Sequence, residues 1–353
     1  MSVLRRRLMA ATQKKYITLT YDVTDASVST QLFYQSVNIY LFPKTMTVDG
    51  TEVPFARSYR FGSPGVHTVL LAADDIASIP SRTFFGCSAL TVVGDLSSVT
   101  SIGDYAFNGC TSLASVGGLS SVTSIGSNAF RGCSSLTGVG DMPSVTSIGS
   151  GAFYNCTSLA SVGGLSSVTG IGGYAFFGCT SLASVGDLPA VTSIGDYAFN
   201  GCSALTSAGD MSSVTSIGSN AFKGCTSLTV VGDMPAVTSI GSGAFHSCTS
   251  LASVGSLSAV TSIGGMTFFG CTSLASVGDL SAVTSIGNYA FGGCSALTEF
   301  VLGVSAPPQL GSGTFNSTTF NIYVPDAALE AYRTATNWSN YASRIHPMSE
   351  LNH

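Results

Sequence analysis

The chain has 353 residues, with 13 Lys and Arg against 18 Asp and Glu, a formal net charge of −5 and only 9% charged residues. It therefore lacks the basic surface that phosphate contacts need, which excludes a nucleic-acid partner. An apolar content of 45% argues against a disordered chain, and no apolar run reaches the ~18 residues of a membrane-spanning helix.

Residues 1–15 form a basic N-terminal segment. Arg5, Arg6 and Arg7 resemble the start of a secretory signal, but only Leu8, Met9, Ala10 and Ala11 follow. A signal needs roughly 7–15 apolar residues at that point. No signal peptide is expected here, so export would take another route or use a leader outside this sequence.

Residues 16–75 do not repeat, and they read as a small β-rich domain. "KYITLTYDV", "SVNIYLF" and "GVHTVLLA" are its strands, and "VDG" and "GSPG" are its turns. Such a domain would cover the first coil of a repeat array.

From residue 76 to 318 the chain repeats. Its ten cysteines run from Cys87 to Cys294 at intervals of 23, and each has a phenylalanine three residues before it. A strict period of this length signals a repeat solenoid of the leucine-rich type. Within one unit Leu113, Val116, Leu119, Val122 and Ile125 fall every third residue, which suits short extended pieces meeting at corners. Pieces such as "TSLAS" and "VTSI" should pair as parallel strands between coils. "GDYAFNG" reads as one helical turn, N-capped by Asp104 or its equivalents and left through a left-handed Gly109, Gly132 or Gly201. Asn155 and Ser247 stand at that exit in two units.

With this spacing the ring and the thiol face inward together. Phe107, Cys110, Phe130, Cys133, Phe199, Cys202, Phe222 and Cys225 are expected core residues. Free cysteine packs as a small hydrophobe. Disulfides between adjacent coils and metal or redox chemistry are the alternatives. However, ten equivalent thiols offer no unique pairing, and there is neither a C-x-x-C motif nor a histidine cluster.

A second period overlies the first. The residue after each core Phe reads Phe85, Asn108, Arg131, Tyr154, Phe177, Asn200, Lys223, His246, Phe269, Gly292. It cycles every four units, as though a 92-residue block had been duplicated. Arg131, Tyr154, Phe177, Lys223, His246 and Phe269 are the candidate binding strip, because Arg and aromatic side chains anchor interfaces. A tolerant solvent-facing position is the alternative. Asp95, Asp141, Asp187, Asp210, Asp233 and Asp279 form another column, whose carboxylates read as Asx turns or as a calcium row.

Residues 319–353 read as a C-terminal cap. "FNIYVP" is a strand, "DAALEAYRTAT" a short helix N-capped by Asp326, and Trp338 and Tyr341 pack the end.

The stretch 101–123, "SIGDYAFNGCTSLASVGGLSSVT", resembles the BspA-like leucine-rich repeat family through its I-G-x-x-A-F-x-x-C pattern, over roughly residues 76–318. The ending "IYVPDAALEAYRTATNWSNYASRI" is similar to the C-terminal caps of that family. The resemblance implies a right-handed solenoid with a role in adhesion or partner binding at a cell or particle surface. Gly118, Asp141 and Ser256 depart from it where the family has an aliphatic residue. The aliphatic comes one position later, so the strand should stop early or bulge at Gly117.

The expected function is thus a non-enzymatic binding or adhesion solenoid without cofactor or metal. Its partner would be a protein or glycan on a host or neighbouring cell, and its location extracellular or in a virion. A phage tail-associated receptor binder is the alternative, favoured by the Arg-rich start. An enzyme would need a nucleophile and base together. His67, His246, His346 and His353 are scattered, and no motif supplies such a pair. Oligomeric state is left open.

Overall fold

A computed structural model describes residues 16–36, 43–72 and 76–351. The basic segment 1–15, all of "SVNIYLF" except Ser36, and His353 lie outside them. The chain forms a β-solenoid of about 12 turns of ~23 residues. One wall is a parallel sheet of two-residue strands, from Ser78–Ile79 through Ser101–Ile102 and Ser124–Ile125 to Gln309–Leu310. Isoleucine points into the core at each step but the last, where Leu310 does. At the next corner Thr123 donates both its N–H and its hydroxyl to the carbonyl of Thr100, at 2.8 and 3.0 Å. Hydroxyl ladders of this kind satisfy the backbone of a surface that carries little charge.

The second wall is less regular. Leu90–Asp95, Ser115–Gly117, Gly138–Asp141 and Ser161–Gly163 pair in parallel, with a shift in register after Val116 and after Val139. The expected irregularity at Gly117 is thus present. Pairing then thins to single bridges at Ser184 and Ser207. There the left-handed residue is Gly186 or Gly209, one position earlier than Gly118 in its own coil, so the chain turns before a strand can form. The ladder resumes at Val230–Val231.

The "GDYAFNG" stretch differs from the expected helical turn. Ala106, Asn108 and Cys110 donate to the carbonyls three residues back, at 3.3, 3.2 and 3.1 Å. Tyr105, Phe107 and Gly109 donate instead to Ser127, Ala129 and Arg131 of the next coil, at 2.9, 2.7 and 2.8 Å. Alternate N–H groups therefore serve the turn and the stack, which a helix would not allow. The alternation needs two left-handed residues, Tyr105 at φ 57 and Gly109 at φ 75. Asn155 and Ser247 take the second of these conformations at φ 55 and 59. Asp104 does not cap its own turn, because its Oδ1 accepts the N–H of Ser127 in the next coil at 2.7 Å.

Inside, Phe84 to Phe291 form one column of near-parallel rings with centroids 5.0 to 5.5 Å apart. Each ring is fully buried, and burial of one phenylalanine contributes roughly 2–3 kcal/mol.

At the N-terminus, Tyr16–Val23 buries Ile17, Leu19, Tyr21 and Val23 on one face. It pairs antiparallel with Gly65–Ala72 on one side and with Leu90–Asp95 on the other. The cap thereby covers the open edge of the first coil. Phe33 continues the ring column, 5.4 Å from Phe84.

At the far end, Glu299–Val301, Asn321–Val324 and Ile345–Pro347 form the last parallel ladder. Trp338 is buried and donates to the Pro308 carbonyl at 2.8 Å, while Tyr341 lies edge-on to Phe315. The helix Leu329–Thr334 follows a 3-10 turn that begins at Asp326. Asp326 caps neither of them; its Oδ1 accepts the N–H of Ser349 at 3.1 Å.

Candidate functional site

The cysteines are buried, and each has a defined partner. From Cys110 to Cys294, every Sγ donates to the carbonyl of the phenylalanine 26 residues earlier, at 3.0 to 3.2 Å. Cys87 has no earlier coil, and it donates to Leu32 of the cap at 3.3 Å. All ten are free thiols. Burial pushes Cys179 and Cys271 up to about 12, so the reactive thiolate is scarce at neutral pH. Among the described residues no group of His, Cys, Asp and Glu is placed to hold a metal ion. Within the Asp column, Asp95, Asp210 and Asp279 each accept the N–H two residues on, at 2.9, 2.9 and 2.8 Å. Asp233 instead accepts from Ser256 in the next coil at 2.8 Å.

The outer corner is set by the alternating turn. Because Phe107 faces inward and Asn108 donates back to Tyr105, the residue after each core ring projects outward. In the first block Arg131, Tyr154 and Phe177 meet in a continuous stack. The Arg131 guanidinium lies 4.5 Å above the Tyr154 ring, and Tyr154 lies 4.8 Å from Phe177 at an interplanar angle of 6°. An exposed cation–π contact contributes about 0.5–1 kcal/mol.

In the second block His246 stacks on Phe269 at 5.3 Å. Partial burial and the nearby Lys223 charge both lower the His246 pKa, leaving the ring neutral at pH 7. Asn200 separates the two groups, so the six residues form two clusters. Phe85, at the head of the same column, is covered by Tyr34 of the cap, 5.2 Å away.

The sequence reading missed a second outer column, two residues before each core Phe. It runs Tyr105, Asn128, Gly151, Tyr174, Tyr197, Asn220, Gly243, Met266, Tyr289, all at positive φ. Tyr174 stacks on Tyr197 at 4.8 Å and 7°, and it tilts against Phe177 at 5.9 Å. Tyr174 and Met266 are 42% and 45% exposed, among the most open large apolar side chains of the coils. Asn and Gly at this position were the available signal, since both tolerate the left-handed region. One nucleophile–base contact was also missed: Ser247 Oγ lies 2.8 Å from His246 Nδ1.

A sequence profile of the BspA type leucine rich repeat region matches residues 58–183 and 215–328, in 6 copies. Among solved structures, a leucine-rich repeat protein from Bacteroides ovatus is similar at 24% identity and a TM-score of 0.50, covering 77% of this chain and 88% of that one. A leucine rich cell surface protein from Faecalibacterium prausnitzii is 27% identical at a TM-score of 0.46, covering 77% of this chain and 82% of its own. No curated protein matches.

Proposed function

The chain belongs to the BspA-type leucine-rich repeat family, and on that premise we propose that it is a non-catalytic binding solenoid, attaching to a protein or glycan at a cell or particle surface. The observation that carries this reading is the outward stack of Arg131, Tyr154 and Phe177, joined laterally by Tyr174. Aromatic and guanidinium groups held on a stiff wall lose little conformational freedom on binding, and they are the side chains that dominate interfaces. We divide the work accordingly: residues 76–318 present the strip, and residues 16–75 and 319–353 close the ends.

A catalytic reading finds one support, the contact of Ser247 with His246. Burial and the Lys223 charge lower the basicity of that ring, so the serine gains little activation.

The test replaces Arg131, Tyr154, Lys223 and His246 with serine together and applies native and variant chains to glycan and protein arrays. The native chain should give signals that fall more than tenfold in the variant, at an unchanged melting temperature. Equal signals would reject the strip.

A further inference from the structure

We propose that the gap at Gly151 is a slot for one pyranose ring carrying a carboxylate, a uronic or nonulosonic acid residue of a glycan. The proposal rests on the binding reading above and names its ligand class.

The slot follows from the coil order. Asn128, Gly151, Tyr174 and Tyr197 occupy one column in successive turns. One side of the Tyr174 ring is covered by Tyr197. The other borders a cleft of about 310 Å³ lined by Asn128, Arg131, Ser150, Gly151, Tyr154 and Tyr174. Asn128 and Tyr174 stand two coils apart, roughly 10 Å, with Gly151 between them, and the Asn128 carboxamide leans over that glycine, its Oδ1 2.6 Å from where a Cβ would stand. A ring seated there continues the Tyr174–Tyr197 stack at its own spacing. The volume lies at the bottom of the ~300–1,000 Å³ range of ligand pockets, which fits one ring.

The lining decides what kind of ring. A carboxamide, a serine hydroxyl, two phenols and a guanidinium surround the slot. An aromatic side chain of a protein partner would leave these groups without partners, which is costly. A polyhydroxylated ring satisfies them while its C–H face rests on Tyr174.

Charge narrows the choice further. Among the described residues Arg131 is the one charged group lining the cleft, and its Nη1 makes a long 3.5 Å contact with Asn128 Oδ1. Its other donors form the fork that receives a carboxylate in bidentate fashion. Ninety-two residues on, Gly243 repeats Gly151, but Lys223, His246 and Met266 replace Arg131, Tyr154 and Tyr174. The fork and the ring wall are thus absent at Gly243.

Calorimetry and saturation-transfer NMR on the intact chain, with N-acetylneuraminic acid, glucuronic acid and glucose, test this. One site per chain should bind an acid at least tenfold more tightly than glucose, and the acid preferred identifies the source. Gly151→Asn puts the residue native at 128 and 220 into the slot, in a conformation asparagine tolerates, and its Cβ pushes the flexible Asn128 carboxamide aside. It should weaken acid binding more than tenfold with an unchanged melting temperature, whereas Gly243→Asn should not. Arg131→Gln should bring the acid down to the affinity of glucose. No acid binding at millimolar concentration, or equal binding by Gly151→Asn, would overturn the slot. Because Gly151→Asn retains every strip side chain and displaces only the Asn128 carboxamide, array signals that persist in it but vanish in the serine variant would overturn the slot while the strip stands.

Discussion

Cys202 shows what a single position in the coil must do. It fills a small buried space, and it donates to the Phe176 carbonyl of the preceding coil at 3.1 Å. Alanine would fill less space and donate nothing, and a larger aliphatic would overpack the gap beside the ring column. The thiol therefore recurs for reasons of volume and donation, with its reactivity suppressed by burial. His67 in the cap is the opposite case, a titratable group whose charge is used. Its Nδ1 lies 2.7 Å from Asp49 Oδ2 and its Nε2 2.8 Å from the Ser63 carbonyl, so both ring nitrogens face acceptors. Burial lowers its pKa, but the bonds to Asp49 and Ser63 and the Asp49 charge outweigh this, and the net shift is upward from 6.5. For Asp49, burial raises the pKa, but the bonds from Thr68 and His67 outweigh it, and the net shift is downward from 3.8. The His67 contribution is complete below 6.5 and lost as pH rises through its raised pKa. That of Asp49 is present above 3.8 and lost as pH falls through its lowered pKa. Thermal melts should therefore show cap stability declining above pH 6.5 in the native chain and not in His67→Gln. Identical pH profiles would contradict this.

At the scale of the coil, the close approach of successive turns depends on the glycine that follows the wall isoleucines from Ile102 to Ile286. A Cβ on Gly195 would stand 2.5 Å from the Gly173 nitrogen, whereas one on Gly62 would meet nothing within 4 Å. Gly195→Ala should therefore cost about 1–3 kcal/mol in urea denaturation, as overpacking does, while Gly62→Ala stays within ~0.5 kcal/mol. Equal midpoints for the two variants would mean that coil spacing is not set there. The coil itself was readable from sequence, because a period of 23 with apolar residues every third position fits only short strands turning at corners. The bulge after Val116 was also foreshadowed, by Gly118 standing where an aliphatic is usual. The alternating turn was not readable. "GDYAFNG" satisfies the local rules for a capped helical turn, and nothing local announces that Tyr105 is left-handed. That conformation is held by its hydrogen bond to Ser127, 22 residues away, an interaction that exists only once coils stack. The same blindness hid the column of Tyr174 and Gly151, whose neighbours lie across coils.

For the whole molecule, stacking makes stability a sum of neighbouring coils, and the ends become the weak points. The N-terminal domain answers with Tyr16–Val23 on the open edge of Leu90–Asp95 and with Phe33 and Leu32 completing the ring and thiol ladders. Two widely separated segments had to meet for this, so the need for a cap was legible and its pairing was not. The C-terminal cap closes the other end, with Arg344 donating to the carbonyls of Phe320 and Thr318. Between the caps, ring and sulfur face inward along the whole solenoid, which under the proposed binding function leaves recognition to the outer corner. Native-state alkylation of the intact chain with iodoacetamide at pH 8, read by mass spectrometry, tests that division most directly. None of the ten thiols should react until denaturant is added, after which all ten should. Stoichiometric labelling of several cysteines in the folded chain would contradict it.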